Sequence, residues 1–272
     1  MGTEIKGQIK LIVTDLDGTF LADHAALSRE NIQAVQAARE KGIVVSACTT
    51  RNWCAAKEIV QTACFDGVTA CCNGGSYINT QSGAILRRHC LPAGVVRGLV
   101  EESLAIGAKV ALHTYRQTYV GDGSISPKHL LEEEFTVKRC RDAAEMLSHA
   151  GDAVEMVEVT GRDGSQMPEV WREKIRPYGK VYIANQNRGV YHITMPCASK
   201  LQAAQALART MGLNASQVMC LGDTYNDREM IRWAGIGVAM GNAEKGVKAD
   251  ADYVAKDNNE HGFAQAVGRF VL

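Results

Sequence analysis

The chain has 272 residues, 46% of them hydrophobic, and its 30 lysines and arginines balance 30 aspartates and glutamates. That is enough apolar material for one large or two moderate domains, while zero net charge supplies no overall field to recruit nucleic acid or an anionic membrane. No apolar run approaches the ~18 residues that a membrane span needs, and the opening MGTEIKGQIK has no signal-peptide core.

In chain order, IKLIV predicts a first strand, SRENIQAVQAAREKG a helix with Ser28 as its N-cap and Gly42 as its stop, and IVVSAC a second strand. A second helix over NWCAAKEIVQTA and a third strand, GVTACC, follow. The stretch from about 83 to 190 is more polar. Its strands KVALHTY and AVEMVEV alternate, and Gly-Asp-Gly at 121–123 and GRDG at 161–164 are turn signals. After it the first scheme returns: helix SKLQAAQALARTMG, strand QVMCLG, helix NDREMIRWA, short strands GIGVAM and ADYVA, and a last helix near EHGFAQAVGRF. Apolar strands alternating with helices indicate a parallel sheet covered on both faces. The expected fold is therefore α/β: a doubly wound core of residues 1–82 and 191–272, with an inserted α+β domain over 83–190. The hinges fall near 80–84 and 190–197.

Nine cysteines, none in a C-x-x-C pair and none with zinc-finger spacing to histidine, read as reduced small hydrophobes in a cytoplasmic protein. Chemistry concentrates at strand ends. Asp15 and Asp17 close the first strand two residues apart, on one face, where open α/β sheets bind ligands. A calcium loop starting at Asp15 would want Gly at 20 and Glu at 26, where Phe20 and Ala26 stand. If strands one and four are neighbours, Asp223 of GDTYND faces both aspartates, and three unpaired carboxylates call for a divalent cation. All-oxygen ligation selects Mg²⁺ over zinc. Thr49 and Thr50 of CTTR offer hydroxyls and N–H groups beside a helix start, a setting that suits an anion. Lys200 sits in a first helical turn, against the helix dipole, and so wants an anionic partner. Carboxylates, donors and a lysine together are the equipment of phosphoryl transfer.

The ordered motifs DLDGT, CTTR, Lys200 and GDTYND, followed by GVAMGNA and ADYVAKDNNEHG, resemble those of haloacid dehalogenase superfamily phosphatases of the Cof-type sugar-phosphatase branch, which carry a large α/β cap. NGG at 73–75 matches a further family element. The resemblance covers the whole chain and implies a Mg²⁺-dependent phosphatase acting on small phosphorylated metabolites through an aspartyl-phosphate. Asp15 would be the nucleophile and Asp17 the general acid and base. The metal would sit on the Asp15 carboxylate, the Asp17 carbonyl and Asp223. Thr49, Thr50, Lys200 and Asn226 would bind substrate, supported by Asp227, Asn73 and Arg51. In the cap, His113, Tyr115, Tyr182, Asn185 and Arg188 are candidate specificity contacts. Thr50 and Leu201 stand where the family has glycine. A phosphotransferase or mutase using the same intermediate, or a non-catalytic phosphometabolite-binding protein, remain the alternative readings, and the oligomeric state is not legible.

Overall fold

The computed structural model describes residues 9–121, 136–186 and 189–272. Leu11, Ile12, Val13 and Thr14 are all fully buried and form β1 (Leu11–Thr14). The Ser28 hydroxyl accepts from the Asn31 N–H at 3.1 Å and caps α1 (Arg29–Glu40). Gly42, at φ +73°, ends that helix where a side chain would be strained. β2 (Val44–Ala47) leads to α2 (Trp53–Thr62), which is capped by Asn52. A run of three short strands follows: β3 (Val68–Cys71), β4 (Ser76–Asn79) and β5 (Ile85–Arg88).

The middle of the chain holds α3 (Ala93–Leu104), β6 (Lys109–Thr114), β7 (Thr118–Gly121), β8 (Val137–Cys140), α4 (Ala143–Ala150), β9 (Val154–Thr160), α5 (Glu169–Ile175), β10 (Tyr182–Gln186) and β11 (Val190–Thr194). The last third holds α6 (Lys200–Thr210), β12 (Val218–Gly222), α7 (Arg228–Trp233), β13 (Ile236–Ala239), α8 (Lys245–Asp250), β14 (Tyr253–Val254) and α9 (Gly262–Phe270).

One parallel sheet runs β14-β13-β12-β1-β2, so the expected neighbours β1 and β12 do pair, Leu11 opposite Val218 and Thr14 opposite Leu221. A second, six-stranded sheet runs β10-β11-β9-β6-β7-β8 and is antiparallel except at β7–β8. It packs one face against α3, α4 and α5 through a separate apolar cluster that includes Leu99, Met146, Val157 and Trp171. The chain is thus an α/β core with an added sheet-and-helix cap, as expected.

Two expectations need correction. GVTACC does not join the parallel sheet as a full strand: β3 pairs antiparallel with β4 in a three-stranded sheet of its own. Its other edge runs parallel to β2 and the residues after it, through the Gly67 N–H to the Val45 carbonyl at 3.1 Å, a parallel Cys48–Ala70 bridge and the Thr49 N–H to the Ala70 carbonyl at 2.9 Å. The hairpin to β4 has a local cause, since Cys72, Asn73 and Gly74 all have positive φ (50°, 57° and 89°) and reverse the chain at once. NDREMIRWA is likewise not one helix but a 3-10 turn over Tyr225–Asp227 and then α7. Of the two turn signals, GRDG forms a 3-10 turn over Arg162–Gly164, whereas positions 122 and 123 of the first lie outside the described residues.

Candidate active site

Three loops meet at the C-terminal ends of β1, β2 and β12. Asp15 follows β1, held by its N–H to the Leu221 carbonyl at 3.0 Å. Asp223 follows β12 beside it. Lys200, the first residue of α6 and only 1% exposed, places its ammonium 2.8 Å from Asp15 Oδ1 and 2.6 Å from Asp227 Oδ1. The cation that looked uncompensated in the sequence is therefore shared between two site carboxylates. The other Asp227 oxygen accepts from the Asp223 N–H (3.2 Å), the Thr224 N–H (3.0 Å) and the Thr224 hydroxyl (3.0 Å). Both oxygens of Asp227 are engaged, which makes it a brace for Lys200 and for the turn.

Asp15, Asp223 and Asp227 each bring one carboxylate oxygen to within 4.8 Å of the other two. Lys200 neutralises one of the three charges and leaves two. Burial accordingly pushes Asp15 up to about 7, against the pull of Lys200 and with a push from Asp227 and Asp17. It pushes Asp223 well above the usual carboxylate range, with Asp15 and Asp227 adding to the rise. An all-oxygen pocket with two surplus negative charges fits a hard divalent cation such as Mg²⁺. Asp15 and Asp223 have oxygens to spare for it: Asp223 receives the Thr19 hydroxyl on Oδ1 at 3.0 Å. Gly18, at φ +72°, completes the loop, and a Cβ there would stand 2.5 Å from Asp223 Oδ2.

The Asp17 carboxylate is not part of this trio. It turns to Arg51, whose side chain is 3% exposed, at 2.7 Å. Thr49 is fully buried; its hydroxyl accepts from the Arg51 N–H at 3.1 Å, and its own N–H is spent on Ala70, so the hydroxyl alone could face an anion. Thr50 is absent from the residues with positive φ, so its side chain costs no backbone strain in place of glycine. Asn226 donates weakly to Asn73 Oδ1 at 3.4 Å, while the buried Asn73 Nδ2 has no partner among the described residues.

A family model of haloacid dehalogenase-like hydrolases matches residues 12–267. The chain belongs to that family. The YxeH protein of Bacillus subtilis (strain 168) is 30% identical, over 97% of this chain and 98% of its own. The 5-amino-6-(5-phospho-D-ribitylamino)uracil phosphatase YcsE of the same organism is 27% identical, over 97% and 96%. The solved structure of a haloacid dehalogenase-like hydrolase from Bacteroides thetaiotaomicron superposes with a TM-score of 0.79 at 26% identity, covering 96% of this chain and 99% of that one.

Around this haloacid dehalogenase-like site, sequence reasoning overlooked Asn242, which donates to the Gly18 carbonyl at 2.8 Å, and Asn258, which donates to the Leu21 carbonyl at 3.0 Å. Both lie inside quoted motifs (GVAMGNA and ADYVAKDNNEHG), so the signal was present and only the role was missing. Of the cap candidates, Tyr182 donates to Glu229 at 3.2 Å, Tyr115 donates to the Gly83 carbonyl at 3.1 Å, and His113 meets Thr118 at 3.0 Å. Arg188 and the side chain of Asn185 lie outside the described residues.

Proposed function

We propose that the chain is a Mg²⁺-dependent phosphatase of small phosphorylated metabolites, sugar or polyol phosphates foremost, working in the cytoplasm. The observation that carries this reading is Lys200 lodged between Asp15 and Asp227 with Asp223 alongside. That arrangement is built to receive a dianionic phosphoryl group and a cation together. Asp15 Oδ2, the oxygen that Lys200 leaves free, attacks phosphorus as the bond to the ester oxygen breaks. Asp17, protonated once its pair with Arg51 has opened, gives that proton to the departing alcohol. Asp17 then takes a proton from water, whose oxygen attacks the aspartyl-phosphate, releasing phosphate and restoring Asp15. Thr49, Thr50, Lys200 and Asn226 bind phosphoryl oxygens. Asp15, Asp223 and the Asp17 carbonyl would hold Mg²⁺, which supplies charge neutralisation on the phosphoryl group.

The sugar or polyol preference is supported by a relative whose name specifies a phosphoribityl substrate. All nine cysteines are free thiols, which supports a reducing compartment, and no described helix is long and apolar enough to cross a membrane. The expected cap bounds of 83 and 190 we move to about 89–92 and 195–199, because β5 pairs with β4 and β11 pairs with the cap strands β10 and β9. Phosphate release from a panel of phosphate esters with and without Mg²⁺ tests the function. Asp15→Asn should abolish release while the fold persists, and unchanged turnover in that variant sinks the assignment.

A further inference from the structure

The cap sheet has one face on α3, α4 and α5, carrying Val110, Leu112, Val157, Val159 and Ile193. Strand alternation puts the residues between them on the other face. Register orders these into rows. In one row Tyr182 pairs with Thr194 at one edge, and His113 pairs with both Met156 and Thr118 towards the other. This row is fastened to the core on both sides of the catalytic crevice. Tyr182 donates to Glu229, two residues past Asp227, at 3.2 Å. Asn52, the residue after Arg51, donates to Thr118 at 3.1 Å. The face is therefore anchored beside the two loops that carry Asp227 and Arg51.

The next row reads Ala184, His192, Glu158, Ala111 and Val120. Glu158 is 2% exposed and stands between two equally buried imidazoles. His192 Nε2 lies 3.2 Å from Glu158 Oε2; His113 Nε2 lies 3.6 Å away, in charge range but beyond a hydrogen bond. His192 Nδ1 and His113 Nε2 have no hydrogen-bond partner among the described residues, and buried polar atoms rarely go without one. The trio is not a metal centre: the only set of such ligand atoms within 4.8 Å of one another among the described residues is that of Asp15, Asp223 and Asp227.

We propose that Glu158, flanked by His113 and His192, is the subsite that reads hydroxyl groups on the alcohol part of the substrate. A carboxylate accepts from hydroxyls, and imidazole nitrogens either give or accept, so the pair matches a neutral polyol. A second phosphate or a carboxylate at that position would meet Glu158 and be rejected. This assignment rests on the phosphatase reading.

The test compares kcat/KM with Mg²⁺ for a hexose monophosphate, a hexose bisphosphate and nitrophenyl phosphate, which has no hydroxyl to read. In Glu158→Gln the ratio of hexose monophosphate to nitrophenyl phosphate should fall roughly ten- to a hundredfold, the loss appearing in KM. The bisphosphate should gain relative to the monophosphate. His192→Gln should lower the first ratio in the same direction and carries the test if Glu158→Gln does not fold. Equal losses on both monoesters, or an unchanged ratio in folded variants, overturn the subsite but leave the phosphatase standing. A wild-type chain that releases phosphate from no ester overturns both.

Discussion

Arg51 grips Asp17 through two parallel hydrogen bonds, Nε to Oδ2 at 2.8 Å and Nη2 to Oδ1 at 2.7 Å. Both oxygens of Asp17 are acceptors in this arrangement, so neither carries a proton for a leaving group. In the proposed mechanism the pair must open in each turnover. Asp17→Asn should lower kcat by about 10²- to 10⁴-fold with little change in KM. In single-turnover measurements, phosphorylation by nitrophenyl phosphate should suffer less than by an alkyl phosphate, because nitrophenolate leaves without a proton. Equal losses on the two esters would remove Asp17 from the acid role.

Lys200 is buried between two carboxylates. Lys200→Met leaves Asp15 and Asp227 without their cation and should destabilise the protein by about 3–5 kcal/mol, the range for breaking a buried ion pair. Urea unfolding measures this, and Mg²⁺ should recover part of the loss. A variant as stable as the wild type in chelator would show that the ammonium does not stabilise the carboxylates.

Burial raises Asp15 from an ordinary 3.8 to about 7. An acid whose folded value lies above its unfolded value contributes stability that is full below the unfolded value and fades as pH rises through the folded one. Asp223 is shifted in the same direction. In chelator, the melting temperature should therefore fall between pH 6 and pH 8. Mg²⁺ should raise it more at pH 8, where protons no longer compete for the carboxylates. Thermal melts at both pH values decide this, and a rise in melting temperature with pH in chelator contradicts it.

Gly18→Ala would put a methyl group against the Asp223 carboxylate in a backbone region that disfavours side chains. Displacing that carboxylate should raise the Mg²⁺ concentration for half-maximal activity by roughly ten- to a hundredfold, as for other perturbations of a ligand's support. A Mg²⁺ titration of phosphate release reads it directly, and an unchanged midpoint would mean that Asp223 does not bind the metal.

Much of this was legible in the residues. The solid apolar runs LIVT and VMCLG announce buried parallel strands, and they do lie side by side with carboxylates at matching ends. Lys200 betrayed itself by standing against a helix dipole. The Arg51–Asp17 pair spans 34 residues and follows no local period, so only the fold brings it together. The antiparallel pairing of β3 with β4 was equally hidden, because GVTACC is apolar enough for either partner and only the left-handed run at 72–74 folds β4 back onto it. In β9, Glu155 and Glu158 are three apart and would face opposite ways in a regular strand. A bulge between Val154 and Met156 lets Glu155 reach Arg88 while Glu158 keeps the histidines. No alternation rule reveals that bulge in advance.

The pairing of β1 with β12 also constrains how the chain is made. Leu11 waits for Val218, 207 positions later in the chain. At roughly 5–20 residues per second, a ribosome delivers that partner about 10–40 seconds after the first strand emerges. Until then the fully buried strand β1 has a bare edge and a carboxylate at its end, so the nascent β1 segment is a stretch that needs shielding during synthesis.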